Sequence, residues 1–414
     1  MLFNEKQGPG TTGAKAAFFI PMSTVTQPST NAHEIQDADF LIVGAGIAGA
    51  STGYWLAPHG RVVVLERESQ PGYHSTGRSA ALYMASYGAP QVRALSLASF
   101  DFLSRPPQGF SDHPLLTPRG AMMVATADQM AHLESHWQVL SALDPNARKL
   151  DTHQALSLLP VLRPERVAGA LYEPDAADMD VHAIHQGFLK GMRQHGGTLA
   201  CNAEVVQADH DGLCWRVQAG GRTWRAPVLI NAAGAWADVL ARLAGARPIG
   251  LQPRRRSAFT FEPPAGMNSN GWPMVYGAGE DWYIKPDAGM VLGSPANADP
   301  VPPQDVQPEE IDIALAVHRI EEMTTLQVRR PRHPWAGLRS FVPDGGLVGG
   351  FDDERSGFFW VAAQGGYGIQ TSPAMGEACA ALARHLPLPA HLAAHGLSAE
   401  ALSPARLRAP ALAV

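Results

Sequence analysis

The tightest constraint on this chain lies between residues 39 and 66. An apolar run, Asp39-Phe40-Leu41-Ile42-Val43, reads as a buried strand and leads directly into Gly44-Ala45-Gly46-Ile47-Ala48-Gly49, which opens a helical stretch to about Ala57. Pro58, His59 and Gly60 end that helix, and Arg61-Val62-Val63-Val64-Leu65-Glu66, rich in β-branched residues, supplies a second strand. Gly44 permits a tight turn, Gly46 lets the backbone approach a pyrophosphate, and Gly49 allows close helix packing. The helix N-terminus offers amide donors and positive dipole to the phosphates. Glu66, 22 residues beyond Gly44, stands where a carboxylate accepts hydrogen bonds from ribose hydroxyls. Strand, glycine turn, helix and strand in this order specify the first half of a dinucleotide fold and leave FAD and NAD open.

Two later segments again run from an apolar strand into glycine. One is Arg225 to Ile230, continuing through Asn231-Ala232-Ala233-Gly234-Ala235-Trp236; the other is Gly357 to Ala363, followed by the turn Gln364-Gly365-Gly366-Tyr367-Gly368 and a helix from about Gln370 to Arg384. The dinucleotide domain is therefore expected to be discontinuous. Between these pieces the pattern turns to period two, with Trp282–Lys285, the turn Pro286-Asp287-Ala288-Gly289 and Met290–Gly293 reading as a hairpin. A helix is expected near Ile311 to Thr324. The predicted fold class is α/β, a Rossmann-like domain plus an α+β substrate domain with a mainly antiparallel sheet. Residues 38–112, 178–246 and 333–392 are assigned to the first domain and 113–177 and 247–332 to the second. Residues 1–37 read as a flexible tail, in which Met22 is an alternative start, and 393–414 as a peripheral tail.

With 414 residues, 45% of them hydrophobic and 17% charged, the chain has the apolar material for two such cores and is unlike a disordered sequence. The formal net charge of −6, with arginines scattered apart from Arg254, Arg255 and Arg256, leaves no basic face for nucleic acid. A small-molecule partner is expected instead. No run approaches the ~20 apolar residues of a transmembrane segment. A cytoplasmic location is expected, with a peripheral membrane contact left open. Cys201, Cys214 and Cys379 are an odd number without metal-ligand spacing and read as small hydrophobes outside any disulfide. His182 and His185 read as helix-surface residues, and no metal is expected.

The loop His74-Ser75-Thr76-Gly77-Arg78-Ser79-Ala80-Ala81, taken with the turn at 231–236 and the loop at 364–370, resembles the FAD-dependent D-amino acid oxidase and glycine oxidase superfamily. Residues 38–402 are similar in motifs and spacing to the bacterial D-arginine dehydrogenases within it. The resemblance implies noncovalent FAD, with His74 unlinked to it. It places Ala48, Glu66, Arg67, Ser75, Thr76, Gly77, Arg78, Ser79, Ala80, Ala81, Leu82 and Val205 along the cofactor, together with Gly234, Trp236 and the loop Gly365, Gly366, Tyr367, Gly368, Ile369 and Gln370. The helix after that loop would aim its positive end at the flavin. Arg339, in Gly337-Leu338-Arg339-Ser340-Phe341, matches the family's carboxylate-binding arginine, and Tyr283 a tyrosine that hydrogen-bonds the same carboxylate. The match puts Arg256 at the site with Arg255 on the other strand face, and Tyr87 toward the substrate side chain. Gly366 and Gln370 would also touch the substrate, and Leu82, Met84 and Ala121 would surround its side chain.

What the resemblance implies is oxidative deamination of an amino acid substrate, a D-amino acid: hydride leaves Cα for flavin N5, and the imino acid hydrolyses to a 2-oxo acid and ammonia. The reaction needs a neutral amine, so activity is expected to rise with pH, and no general base stands out. Ala121 and Leu82 replace a carboxylate and a histidine of the D-arginine enzymes. Methionine, leucine, phenylalanine or tyrosine are therefore expected ahead of arginine and lysine, and Ala121→Glu is expected to restore arginine. Oxygen, a quinone or another carrier stays open as electron acceptor. Rival readings are oxidation of a sarcosine-like secondary amine or a 2-hydroxy acid on the same fold, and a non-catalytic flavin-binding module. The joint presence of Arg339, Tyr283 and Arg256 argues against the last.

Overall fold

The apolar runs Phe40–Val43, Val62–Leu65, Val228–Asn231 and Phe358–Ala362 lie side by side in a six-stranded sheet, ordered 198–200, 62–65, 40–43, 228–231, 358–362 and 348–351. The first five strands are parallel, and Val348–Phe351 closes the edge antiparallel. Such strands are apolar throughout because both faces of a parallel sheet are covered. Ile42, Val64, Ile230 and Phe359 face the helices Ile47–Leu56, Pro90–Ser104, Val181–Gln194 and Gly368–Ala383. Leu41, Val63, Leu229 and Trp360 face Trp215, Val217 and Trp224 of a smaller sheet. The computed structural model describes residues 35–408, so the first 34 residues of the tail read over 1–37 and the last six residues lie outside the described residues.

A nine-stranded, mostly antiparallel sheet carries the second half of the molecule. Its path runs 299–300, 252–261, 290–294, 283–287, 274–277, 121–125, 169–173 and 148–150, with Arg332–Phe341 paired along Gln252–Phe261. The hairpin forms as Tyr283–Asp287 and Met290–Ser294, and helix Glu310–Met323 packs Ala316 and Ile320 onto the sheet. A three-stranded sheet is formed by 82–83, 177–179 and 116–118, with 177–179 in the middle.

Several sequence expectations are corrected. Residues 35–37, read as tail, form a strand paired parallel with Thr223–Arg225. The run from Arg225 is two strands divided at Pro227: Arg222–Ala226 belongs to the small antiparallel sheet and Val228–Asn231 to the parallel one. Proline has no N–H to continue a ladder. Residues 333–341, grouped from sequence with the cofactor segments, belong instead to the strand Arg332–Phe341 of the nine-stranded sheet. Among the described residues, 394–408 are not peripheral, since Leu397 and Leu402 are buried in the helix-side core and Arg408 pairs with Asp352. Cys379 is buried, while Cys201 and Cys214 are half-buried. Among the described residues no helix is long and apolar enough to cross a membrane.

Candidate functional site

A single cleft runs from the glycine turn to the nine-stranded sheet. At one end Gly44 has φ +103°, and a Cβ there would lie 2.4 Å from the Ala232 carbonyl oxygen, so the turn is closed to any side chain. Gly44, Gly46, Ile47 and Ala48 line the cleft; Gly49 does not, and a Cβ there would stand 1.9 Å from the Gly44 carbonyl oxygen, so the position is closed to a side chain. Glu66 is buried and lines the cleft while accepting Ala45 N–H at 2.8 Å and Glu68 N–H at 3.0 Å. Thr76 Oγ1 accepts from Ile47 N at 3.0 Å.

Ser75, Arg78, Ser79, Ala80, Ala81 and Leu82 line the middle, and Gly77 stands behind them, donating its N–H to the Gly72 carbonyl at 2.7 Å. This segment is stitched to the nine-stranded sheet: Ser75 Oγ donates to Leu338 O at 2.7 Å, and Trp335 Nε1 donates to Arg78 O at 3.0 Å. Arg67, stacked 4.9 Å from the Trp236 ring, closes the outer end with Val205 and Gly234. Gly365, Gly366, Gly368, Ile369 and Gln370 line the inner wall, and Tyr367 sits just outside it, against Tyr87.

The cleft fits a dinucleotide on its own evidence. His74 Nδ1 and Gln364 Oε1 are buried polar atoms without a hydrogen-bond partner, and both residues line it. Native proteins leave few such atoms unsatisfied unless a ligand completes them. The backbone around Gly46 and the start of helix Gly368–Ala383 supply the donors that phosphates and a reduced flavin ring call for.

At the inner end Arg339, Arg256, Tyr283 and Tyr87 converge, as Arg339 and Arg256 project from the paired strands 332–341 and 252–261. Arg339 Nη1 donates to Tyr87 Oη at 3.1 Å, and Arg256 Nε donates to the Asn297 carbonyl at 2.6 Å. Neither arginine forms an ion pair among the described residues. Burial, and then the neighbouring charge of Arg339, hold Arg256 below the usual arginine value. Burial pushes Tyr367 up to about 12 and Tyr276 well above an ordinary phenol. Arg255 points away into a network with Asp312 and Glu309, and Lys285 is neutralised by Asp178 at 2.7 Å.

Gln370 lines the cleft, but its amide is already engaged, donating to Ser96 Oγ at 2.6 Å and accepting from Met84 N at 3.3 Å. Leu82 and Met84 line the side-chain end. Ala121 is corrected: it packs in one apolar cluster with them but does not reach the cleft. Sequence reasoning passed over Tyr276, Trp335 and Glu280, which do line it. Glu280 lies on the turn just before the hairpin strand of Tyr283, with φ +50°; that proximity was the available signal. His185, read as surface, is buried.

The family model described as "DAO: FAD dependent oxidoreductase" matches residues 39–382. L-2-hydroxyglutarate dehydrogenase of Escherichia coli (strain K12) is 28% identical over 221 residues, 51% of this chain, so the match spans only half of that relative's length. Glycine oxidase of Geobacillus kaustophilus is 25% identical over 350 residues, 82% of this chain and 90% of the relative. The crystal structure of glycine oxidase from Geobacillus kaustophilus aligns with a TM-score of 0.74 at 22% identity, covering 85% of this chain and 95% of that one. The match over most of the chain, on a cleft shaped for a dinucleotide, establishes that the protein belongs to the DAO family of FAD-dependent oxidoreductases.

Proposed function

We propose that the protein oxidises the α-carbon of a free amino acid, a D-amino acid with an apolar side chain, and that the resulting imino acid hydrolyses to a 2-oxo acid and ammonia. The observation that carries this is the convergence of Arg339, Arg256, Tyr283 and Tyr87 with neither guanidinium ion-paired among the described residues. Two uncompensated charges in a recessed cleft call for an anionic ligand, and the arginine fork matches a carboxylate. Glu280 adds one negative charge at the cleft. The balance suits a monocarboxylate.

FAD, bound noncovalently, supplies the hydride acceptor. The chain's own residues bind and orient: the two arginines clamp the carboxylate, the Tyr283 and Tyr87 hydroxyls add hydrogen bonds, and Leu82, Met84 and Tyr276 take an apolar side chain. The relation to L-2-hydroxyglutarate dehydrogenase favours one second reading, oxidation of a 2-hydroxy acid held by the same clamp.

Anaerobic titration of the yellow protein tests this. D-leucine and D-methionine are expected to bleach the flavin, faster at higher pH as the amine loses its proton, while the L-forms do not. Bleaching by 2-hydroxy acids alone would establish the second reading, and a flavin that no candidate bleaches would overturn both. Arg339→Met is expected to retain FAD and lower kcat/KM by ~10²-fold, about 3 kcal/mol for a lost charge-assisted pair.

A further inference from the structure

His185 lies on helix Val181–Gln194, 4% exposed, and its Nε2 is 2.8 Å from the Ala45 carbonyl oxygen. A ring nitrogen bonds a carbonyl by donating, so the ring is the Nε2–H tautomer. Nδ1 then accepts, and Gln186 Nε2 approaches it at 3.4 Å. The ring also supports the neighbouring loop, since a Cβ on Gly72 would stand 3.0 Å from His185 Cε1.

The consequence follows from the planar trans peptide, in which the Ala45 carbonyl and the Gly46 N–H point in opposite directions. Ala45 is held from both sides, its N–H by Glu66 at 2.8 Å and its oxygen by His185. With the oxygen turned toward the helix, the Gly46 amide is turned the other way, and Gly46 lines the cleft. We propose that His185 is a positioning residue for FAD: by donating to the Ala45 carbonyl it aims the Gly46 amide at the dinucleotide phosphates.

The proposal rests on the FAD cofactor, and its test separates the two. His185→Gln keeps an N–H donor near the Nε2 position, whereas His185→Met has similar bulk and no donor. FAD affinity of each apoprotein is measured by quenching of flavin fluorescence, beside the melting temperature of the apoprotein. The Met variant is expected to bind FAD roughly 10-fold more weakly than the Gln variant, the scale of an orphaned buried carbonyl. Equal dissociation constants would overturn the proposal, as would apoprotein melting temperatures that separate the variants while FAD affinity does not. Nitrogen-15 histidine spectra of the wild-type holoprotein give a check that needs no variant: the Nε2–H tautomer is expected at His185, and an Nδ1–H tautomer would refute it. Wild-type protein that failed to bind FAD would sink the cofactor itself, a different outcome.

Discussion

At Gly366 the missing side chain decides where Arg339 lies. A Cβ there would stand 2.7 Å from the guanidinium carbon, too close for either to keep its place. Gly366→Ala should therefore displace Arg339 and raise KM for D-leucine about 10-fold or more; a normal KM would show that the guanidinium does not hold the carboxylate in its present position. His185 yields a second expectation. Burial holds its pKa below the usual histidine value, so the folded state resists taking up a proton that the unfolded chain accepts near pH 6.5. Its contribution is present above that pH and is lost as pH falls toward the folded value. Between pH 7.5 and 5.5 the wild-type apoprotein should lose more melting temperature than His185→Gln. Parallel slopes would contradict the buried neutral ring.

The strand pair 252–261 and 332–341 holds both arginines, and its outer side is tied to helix Glu310–Met323 through Asp312. Asp312 Oδ2 accepts from Arg255 Nε at 2.8 Å, Ser257 Oγ at 2.7 Å and Asn297 Nδ2 at 3.1 Å, while the Asn297 carbonyl accepts from Arg256. Asp312→Ala would leave Arg255 buried beside a broken network at a cost of about 3–5 kcal/mol. Melting should fall by about 5 °C or more, and KM should rise because Arg256 loses its anchor. Unchanged melting would show that the other carboxylates beside Arg255, Glu309 and Asp299 (the latter at 3.6 Å), suffice. Much at this scale was legible: the strand before Gly44, the β-branched run at 62–65 and the hairpin at 283–294 announce themselves by period and turn chemistry. The membership of 332–341 was not, because a strand's period does not name its neighbour. Nor were Glu280 and His185, since the burial and the aim of a polar side chain are set by elements distant in sequence.

Across the whole molecule the side-chain end of the cleft is where sequence and structure part most usefully. Ala121 pairs directly opposite Glu173 on adjacent antiparallel strands, so the two side chains share a face. Glu173 is buried, accepts from Ser86 Oγ at 2.6 Å, and its carboxyl is held above the usual value chiefly by burial. It thereby fixes the turn that carries Met84 and Tyr87 into the cleft rather than facing a substrate itself. A glutamate at 121 would meet this carboxylate, not a ligand, in a place already short of water. Ala121→Glu is therefore expected to lower the melting temperature by several degrees and to leave the kcat/KM ratio of D-arginine to D-leucine within about 2-fold of wild type, against the expectation from sequence. Whatever arginine turnover exists should depend instead on Glu280, which does line the cleft. Glu280→Gln should lower kcat/KM for D-arginine about 5-fold more than for D-leucine, the scale of an exposed ion pair. A 100-fold gain for D-arginine in Ala121→Glu would mean that residue 121 reaches the substrate after all, and would return the side-chain end to the simpler arrangement read from sequence.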